Sequence, residues 1–239
     1  MKIGCFSDAH ICAGDPPEKD QVMYATLVRL LYKCDRVVVV GDFLEMYKRR
    51  GGRRRHFKKI AAAYPCTFDL IGRNAGKIIF VSGNHDDGCL CMLPGMDTVH
   101  KRYPPWLSEE IMIDGYFFFH GHQADIAFAH RTTEKISERI IKLVFRVEAW
   151  VARLTRFRLS EWFAEKQNRN KAGVDRLAAY SLRLLADRPY LSGAVCGHTH
   201  IIDRAHTPAG QAYINLGGYQ YEDVWVLDTD TGNLEFLYW

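Results

Sequence analysis

No run of about 20 uncharged apolar residues occurs in this 239-residue chain, so a membrane-spanning helix is not expected. The apolar stretch within the opening "MKIGCFSDAH" is too short for the core of a signal peptide. Cysteines number seven, an odd count without regular spacing, which argues against a disulfide framework and for a reducing compartment. Cys89 and Cys91 form one C-x-C pair, but no second pair accompanies it to complete a thiolate metal site. These absences together predict a cytoplasmic location.

What is present is ordinary in bulk. Hydrophobic residues make up 48% of the chain and charged ones 25%, and the length suits one domain or a core with one insertion. Charge is distributed unevenly. "KRRGGRRRHFKK" (48–59) carries eight Lys or Arg and no acid, and residues 131–158 carry eight against three Glu. The whole chain nets only +4, so the remainder is acidic. Two concentrated basic stretches on an acidic background predict an anionic partner: phosphate, nucleic acid or lipid headgroups.

The hydrophobic pattern is α/β, then helical, then β. "KIGCF" and "RVVVV" read as buried strands, with helical spacing of Val22, Met23, Leu27, Leu30 and Leu31 between them. A basic helical segment leads to "KIIFV". "IMIDGYFFF" reads as a hairpin turned at Asp114-Gly115, and "VWVLDTDTGNLEF" as another around Asp-Thr-Gly-Asn. "GAVC" and "AYINL" supply further strands. The Asp228/Asp230 pair lacks the rest of a calcium loop and reads as a turn.

Five successive strands run directly into polar clusters: Asp8/His10, Asp42/Glu45, Asn84/His85/Asp86, His120/His122 and His198/His200. Any one of these could be helix capping or a half-buried corner. Five of them, each directly after a β run, fit a ligand site outside the carboxyl ends of a sheet. Carboxylate and carboxamide oxygens mixed with imidazoles, and no thiolate among them, suit Mn²⁺, with Zn²⁺ or Fe²⁺ as alternatives.

In order and spacing, Asp8-Ala9-His10, Gly41-Asp42-Phe43-Leu44-Glu45, Gly83-Asn84-His85-Asp86, His120-Gly121-His122 and Gly197-His198-Thr199-His200 resemble the five motifs of the calcineurin-like metallophosphoesterases. The resemblance implies a four-layer α/β/β/α sandwich of two mixed sheets. It also implies two divalent metal ions, one held by Asp8, His10 and His200, the other by Asn84, His120 and His198, with Asp42 bridging. Two cations so bridged can activate a water as nucleophile and clamp both ends of an in-line displacement at phosphorus. His85 is the candidate to protonate the leaving oxygen or stabilise equatorial charge. Asp86 either orients His85 or caps the turn. Glu45 has a supporting or structural part, and His122 stands outside the implied ligand set.

The core implied by the motifs is 1–123 and 191–239, interrupted by a helical insertion or lid at 124–190. Within it, Ile136, Ile140, Leu143, Val147, Trp150 and Leu154 form an apolar stripe at helical spacing, and Arg131, Lys135, Arg139, Lys142, Arg146 and Arg153 supply much of the remaining surface. Such a helix either docks on the core or meets an amphipathic anionic substrate at a membrane surface, which would make the protein peripheral at the inner face of the membrane. An insertion at this place, the "EKQNRNKAG" run (165–173) and the chain end "INLGGYQYEDVWVLD" are similar to the UDP-2,3-diacylglucosamine hydrolases, which split a pyrophosphate linkage in a nucleotide-activated lipid. One motif departs from that branch. Its members usually have Arg after Gly-Asn, whereas this chain has His85, and an imidazole passes a proton where a guanidinium holds charge in two directions. Candidate substrate contacts are Arg49 and Arg53 in the basic run, and Arg131, Asn168 and Lys171 in the insertion.

The expected function is therefore hydrolysis of a phosphodiester or pyrophosphate bond in an amphipathic, nucleotide-linked substrate. A nucleic-acid or cyclic-nucleotide phosphodiesterase is the rival, since the basic run directly follows the Asp42 motif; no aromatics alternate with its arginines as stacking on single strands would want. A non-catalytic scaffold is a third reading, disfavoured because all seven implied ligand positions are intact.

Overall fold

The computed structural model describes residues 1–48, 51–86, 88–94, 109–124, 171–219 and 223–237. Ten strands and four helices are described: β1 (Lys2–Phe6), α1 (Pro17–Lys33), β2 (Arg36–Val40), α2 (Arg53–Ala63), α3 (Pro65–Arg73), β3 (Ile78–Val81), β4 (Glu110–Ile113), β5 (Tyr116–Phe119), α4 (Lys171–Ala186), β6 (Gly193–Cys196), β7 (Ile202–His206), β8 (Ala212–Leu216), β9 (Trp225–Asp228) and β10 (Asn233–Phe236). They form two five-stranded mixed sheets, ordered β10-β9-β1-β2-β3 and β4-β5-β6-β8-β7. In the first, β1, β2 and β3 are parallel and β9 and β10 antiparallel; in the second, β5, β6 and β8 are parallel and β4 and β7 antiparallel. The mixed-sheet α/β sandwich expected from the motifs is the architecture found.

Strand alternation builds the layers. Four consecutive valines in β2 would be ambiguous as a pattern, but β-branched residues buried on both faces are what a central strand requires. Val38 and Val40 join Ile3, Cys5, Phe118, Val195 and Ile214 in a core between the two sheets. Val37 and Val39 face the other way, onto Met23, Leu27 and Leu30 of α1 and Ile60 and Phe68 of α2 and α3. β5 repeats this arrangement on the second sheet, where Phe117 and Phe119 turn outward onto Leu177 and Leu185 of α4.

Local signals place the ends. α1 opens on proline with Glu18 and Asp20 in its first turn and closes with Lys33 in its last, complementing the helix dipole. The buried Asp20 carboxylate also accepts the Cys66 and Thr67 amides at the start of α3, 3.0 and 2.9 Å away, so one helix caps another. The hairpin β4–β5 turns at Asp114 and Gly115, both at positive φ (50° and 81°), as a type I′ turn demands.

Two features were not legible in the sequence. β7 has no strand signature, because it is an edge strand whose residues alternate between exposed and half-buried. Residues 171–186, counted within the expected insertion 124–190, form α4, whose apolar face is the outer layer of the second sheet. The remainder of that insertion, including the helix expected at 131–154, lies outside the described residues.

Candidate metal centre

The parallel strands of both sheets end at one edge, and every expected cluster follows one of those ends: Asp8 and His10 after β1, Asp42 after β2, Asn84 and His85 after β3, His120 after β5, His198 and His200 after β6. The sheets are stitched together here. Ser7 Oγ donates to the Gly217 carbonyl at 2.9 Å, the Tyr219 amide to the Ser7 carbonyl at 2.8 Å, and the His198 amide to Asp8 Oδ2 at 2.9 Å. His120 Nδ1, from the second sheet, lies 3.1 Å from the Val40 carbonyl of the first. That carbonyl can only accept, so Nδ1 carries a hydrogen and Nε2 is the ring atom turned to the cluster.

The backbone is strained where the side chains converge. Asp8, His10, Asp42, His198 and His200 all have positive φ, between 46° and 73°. Left-handed backbone at non-glycine residues costs about 1–3 kcal/mol each and survives only where the surroundings enforce it. Glycines open the space: a Cβ on Gly83 would collide with the Asp42 carboxylate and amide, and one on Gly41 with the His120 ring.

The donor atoms gather tightly. Asp8, His10 and His200 offer ligand atoms within 4.8 Å of one another, as do Asp8, Asp42 and His120, and His10, Asp42 and His85. His200 Nε2 lies 3.3 Å from Asp8 Oδ1 and 3.4 Å from His10 Nε2; His120 Nε2 lies 3.1 Å from Asp42 Oδ2. The His198 ring stands edge-on to that of His120, centroids 5.0 Å apart. Asp8 and Asp42 are buried, and Asp8 Oδ1, Asn84 Oδ1 and His120 Nε2 are buried without a hydrogen-bond partner. Polar atoms left so are costly unless something occupies the space between them.

Charge follows position. Burial would raise Asp8, but the His200 and His120 imidazoles hold it below the ordinary carboxylate range; burial and then His120 and His85 act likewise on Asp42. Burial lowers His10 to about 4 and His198 to about 3, helped by His85 and His120 respectively, so both are neutral imidazoles able to ligate. His120 opposes its burial through Asp42 and Asp8 and rises to about 10. Protons thus stand where two buried carboxylates require positive charge.

Of the two parts open to Asp86, the hydrogen bonds fit the second, holding the turn. Asp86 does not face His85: its carboxylate accepts the backbone amides of Gly83, Leu44 and Asp42 at 2.7, 2.8 and 3.0 Å, tying the third motif to the second. The carboxylate beside His85 is that of Glu45, with Oε1 3.1 Å from His85 Nδ1. The Tyr47 ring packs on the imidazole, centroids 4.3 Å apart. Burial lowers His85, but Glu45 and Asp42 override it and raise the pKa to about 9. Sequence could not separate these two acids, because both sit within a motif and only the loop geometry decides which one turns inward.

His122 packs at the far side of the cluster, its ring 5.6 Å from His120 and 6.4 Å from His198. Of the expected substrate contacts, Arg53 is exposed at the start of α2 and Lys171 is exposed at the start of α4; Arg49, Arg131 and Asn168 lie outside the described residues. α2 adjoins the cluster through His56, whose Nε2 is 3.2 Å from the Glu45 carbonyl. Among the described residues no helix is long and apolar enough to cross a membrane.

No curated protein sequence matches significantly. Among solved structures, a dimetal phosphatase from Danio rerio is similar at 12% identity and a TM-score of 0.50, over 91% of this chain and 87% of that one. A metallophosphoesterase from Sphaerobacter thermophilus is similar at 14% identity and a TM-score of 0.43, over 100% of this chain and 88% of that one. The sequence pattern of the family described as calcineurin-like phosphoesterase matches residues 1–201. With that match over β1 to β6 and the whole residue cluster, the chain belongs to the calcineurin-like phosphoesterases and is a metal-dependent hydrolase of phosphoester bonds.

Proposed function

We propose that the cluster holds two divalent cations, Asp8, His10 and His200 on one, Asn84, His120 and His198 on the other, with Asp42 shared. The observation that carries this reading is the convergence of the Asp8, His10, Asp42, His120 and His200 donor atoms in overlapping groups within 4.8 Å. Asp8 Oδ1, Asn84 Oδ1 and His120 Nε2, buried without hydrogen bonds, fit such ions, with the His120 proton displaced on binding, and the oxygen and imidazole donors suit Mn²⁺. Bound there, the cations supply Lewis-acid charge at phosphorus and bring the pKa of water near neutrality.

The protein's own groups supply the rest. His85, protonated at neutral pH and held by Glu45 at 3.1 Å, has its Nε2 4.0 Å from Asp42 Oδ2, beside the cluster. It can donate its proton to the leaving oxygen as the phosphorus–oxygen bond breaks, and Glu45 stabilises the imidazolium until then. The surroundings that enforce left-handed backbone at Asp8, His10, Asp42, His198 and His200 also fix these donors before substrate arrives.

The substrate is read as a phosphodiester or pyrophosphate in an amphipathic, nucleotide-linked molecule of the UDP-2,3-diacylglucosamine kind. Support comes from the insertion between the fourth and fifth motifs and from its basic, apolar-striped sequence. The protein would then work in the cytoplasm, with residues 131–158 at an anionic membrane surface. A specific observation favours a second reading, nucleic-acid hydrolysis: the exposed residues Arg53, Arg54, Arg55, Lys58 and Lys59 lie on a helix anchored to the Glu45 loop.

Assay of the Mn²⁺-loaded protein on a lipid-linked UDP-sugar, its deacylated counterpart, a cyclic nucleotide, single-stranded DNA and simple mono- and diesters tests the assignment. Faster cleavage of the lipid-linked sugar than of its deacylated form is expected. Preference for DNA transfers the assignment to the second reading, and failure to cleave any diester or anhydride overturns both.

A further inference from the structure

The structure points to a residue pair outside the ligand set, and we infer that Asn215 and Thr199 together position both cation sites; this rests on the two-cation reading above. His198 and His200 flank Thr199 and serve different halves of the cluster: His200 Nε2 meets Asp8 Oδ1 at 3.3 Å, while His198 stands against His120. Both histidines have left-handed backbone, φ 73° and 56°, so each costs energy in the conformation that aims its ring. A short strained loop of this kind needs an anchor, and Thr199 is the point between its two arms.

Asn215, at the carboxyl end of β8, is fully buried. Its Nδ2 donates to Thr199 Oγ1 at 2.8 Å, and its Oδ1 accepts the Gly217 amide at 3.2 Å. The orientation of the carboxamide is forced, because the Gly217 amide can only donate and so must face the oxygen. Thr199 Oγ1 therefore accepts from Asn215, and its own hydrogen is free for the Ile201 carbonyl 3.5 Å away. The chain of bonds has one direction and one solution. It reaches farther than the loop: the Gly217 carbonyl accepts from Ser7 Oγ, next to Asp8, and a Cβ on Gly218 would lie 3.5 Å from the His200 ring. One carboxamide thus couples the end of β8, the double-histidine loop and the Asp8 loop of the other sheet.

Groups that hold a metal ligand in its orientation typically change metal affinity about 10–100-fold when removed. The test titrates chelator-treated wild type, Thr199→Val, Thr199→Ser and Asn215→Ala with Mn²⁺ and follows the electron paramagnetic resonance signal of free Mn²⁺, alongside the melting temperature of each metal-free protein. Thr199→Val is nearly isosteric and removes only the hydroxyl, so it carries the test even where Asn215→Ala does not fold. Expected are two Mn²⁺ per wild-type chain, about 10–100-fold weaker binding at both sites in Thr199→Val, and recovery to near wild type in Thr199→Ser. A Thr199→Val protein that melts lower yet binds both ions as wild type does shows a purely structural hydroxyl and overturns the inference alone. Loss at only one of the two sites overturns it as well. Wild type that binds no Mn²⁺ sinks the two-cation reading and this inference with it.

Discussion

Three imidazoles meet at Asp42: His120 Nε2, His10 Nε2 and His85 Nε2 lie 3.1, 3.8 and 4.0 Å from its Oδ2. Asp42→Asn keeps the shape and removes the charge, so kcat/KM should fall at least ~100-fold on every substrate, above what loss of a group merely supporting a ligand costs. Near-normal turnover in that variant would overturn the shared-carboxylate reading. The Glu45–His85 pair gives a prediction on pH. Burial would raise Glu45, but the His85 charge lowers it from 4.5 to about 2, while Glu45 and Asp42 raise His85 from 6.5 to about 9 against its burial. The lowered Glu45 stabilises the metal-free fold in full above 4.5 and loses this as pH falls towards 2. The raised His85 does so in full below 6.5 and loses it as pH rises through about 9. Glu45→Gln should therefore depress the melting temperature of chelator-treated protein most between pH 4.5 and 6.5, and least above about 9. A depression that does not vary with pH would show that Glu45 acts through packing alone.

At the scale of elements, α3 and α4 are the informative pieces. α3 is nine residues long and has no capping side chain of its own, so it relies on Asp20 from α1. Asp20→Ala should cost about 0.5–2 kcal/mol, the range for losing a helix cap, read as a shift in urea midpoint without a change in slope. α4 carries Leu177, fully buried against the outer face of the second sheet. Leu177→Ala should cost about 2–5 kcal/mol in the same experiment, as for a core leucine. A cost under about 0.5 kcal/mol, typical of surface positions, would mean that α4 is not a layer of the sandwich but part of a separable insertion.

For the whole molecule, ligand binding and folding are linked. Ions that bind the folded but not the unfolded chain stabilise it by about 2.7 kcal/mol at a hundredfold excess over the dissociation constant. Added Mn²⁺ should raise the melting temperature of wild type in a concentration-dependent way, and Asp42→Asn should lose most of that rise. An equal rise in both proteins would place the ion elsewhere.

Much of this was readable from one dimension. Each polar cluster begins within three residues of the strand that aims it, as Asp8 does after Phe6 and His120 directly after Phe119, so local pattern sufficed to find the motifs, and their family resemblance implied the two mixed sheets. β7 escaped because an exposed edge strand has no apolar run to mark it, and α4 was assigned to an insertion because its apolar stripe does not name the sheet it covers. Likewise Asp86 and Glu45 are both acids within a motif. Only the fold gave Asp86 to three backbone amides and Glu45 to His85, because hydrogen-bond partners are set by distances between loops far apart in the chain. The order of residues along the chain determined which chemistry could assemble; the meeting of two sheet edges decided which atoms face each other, since side-chain contacts between distant segments exist only once the core has packed.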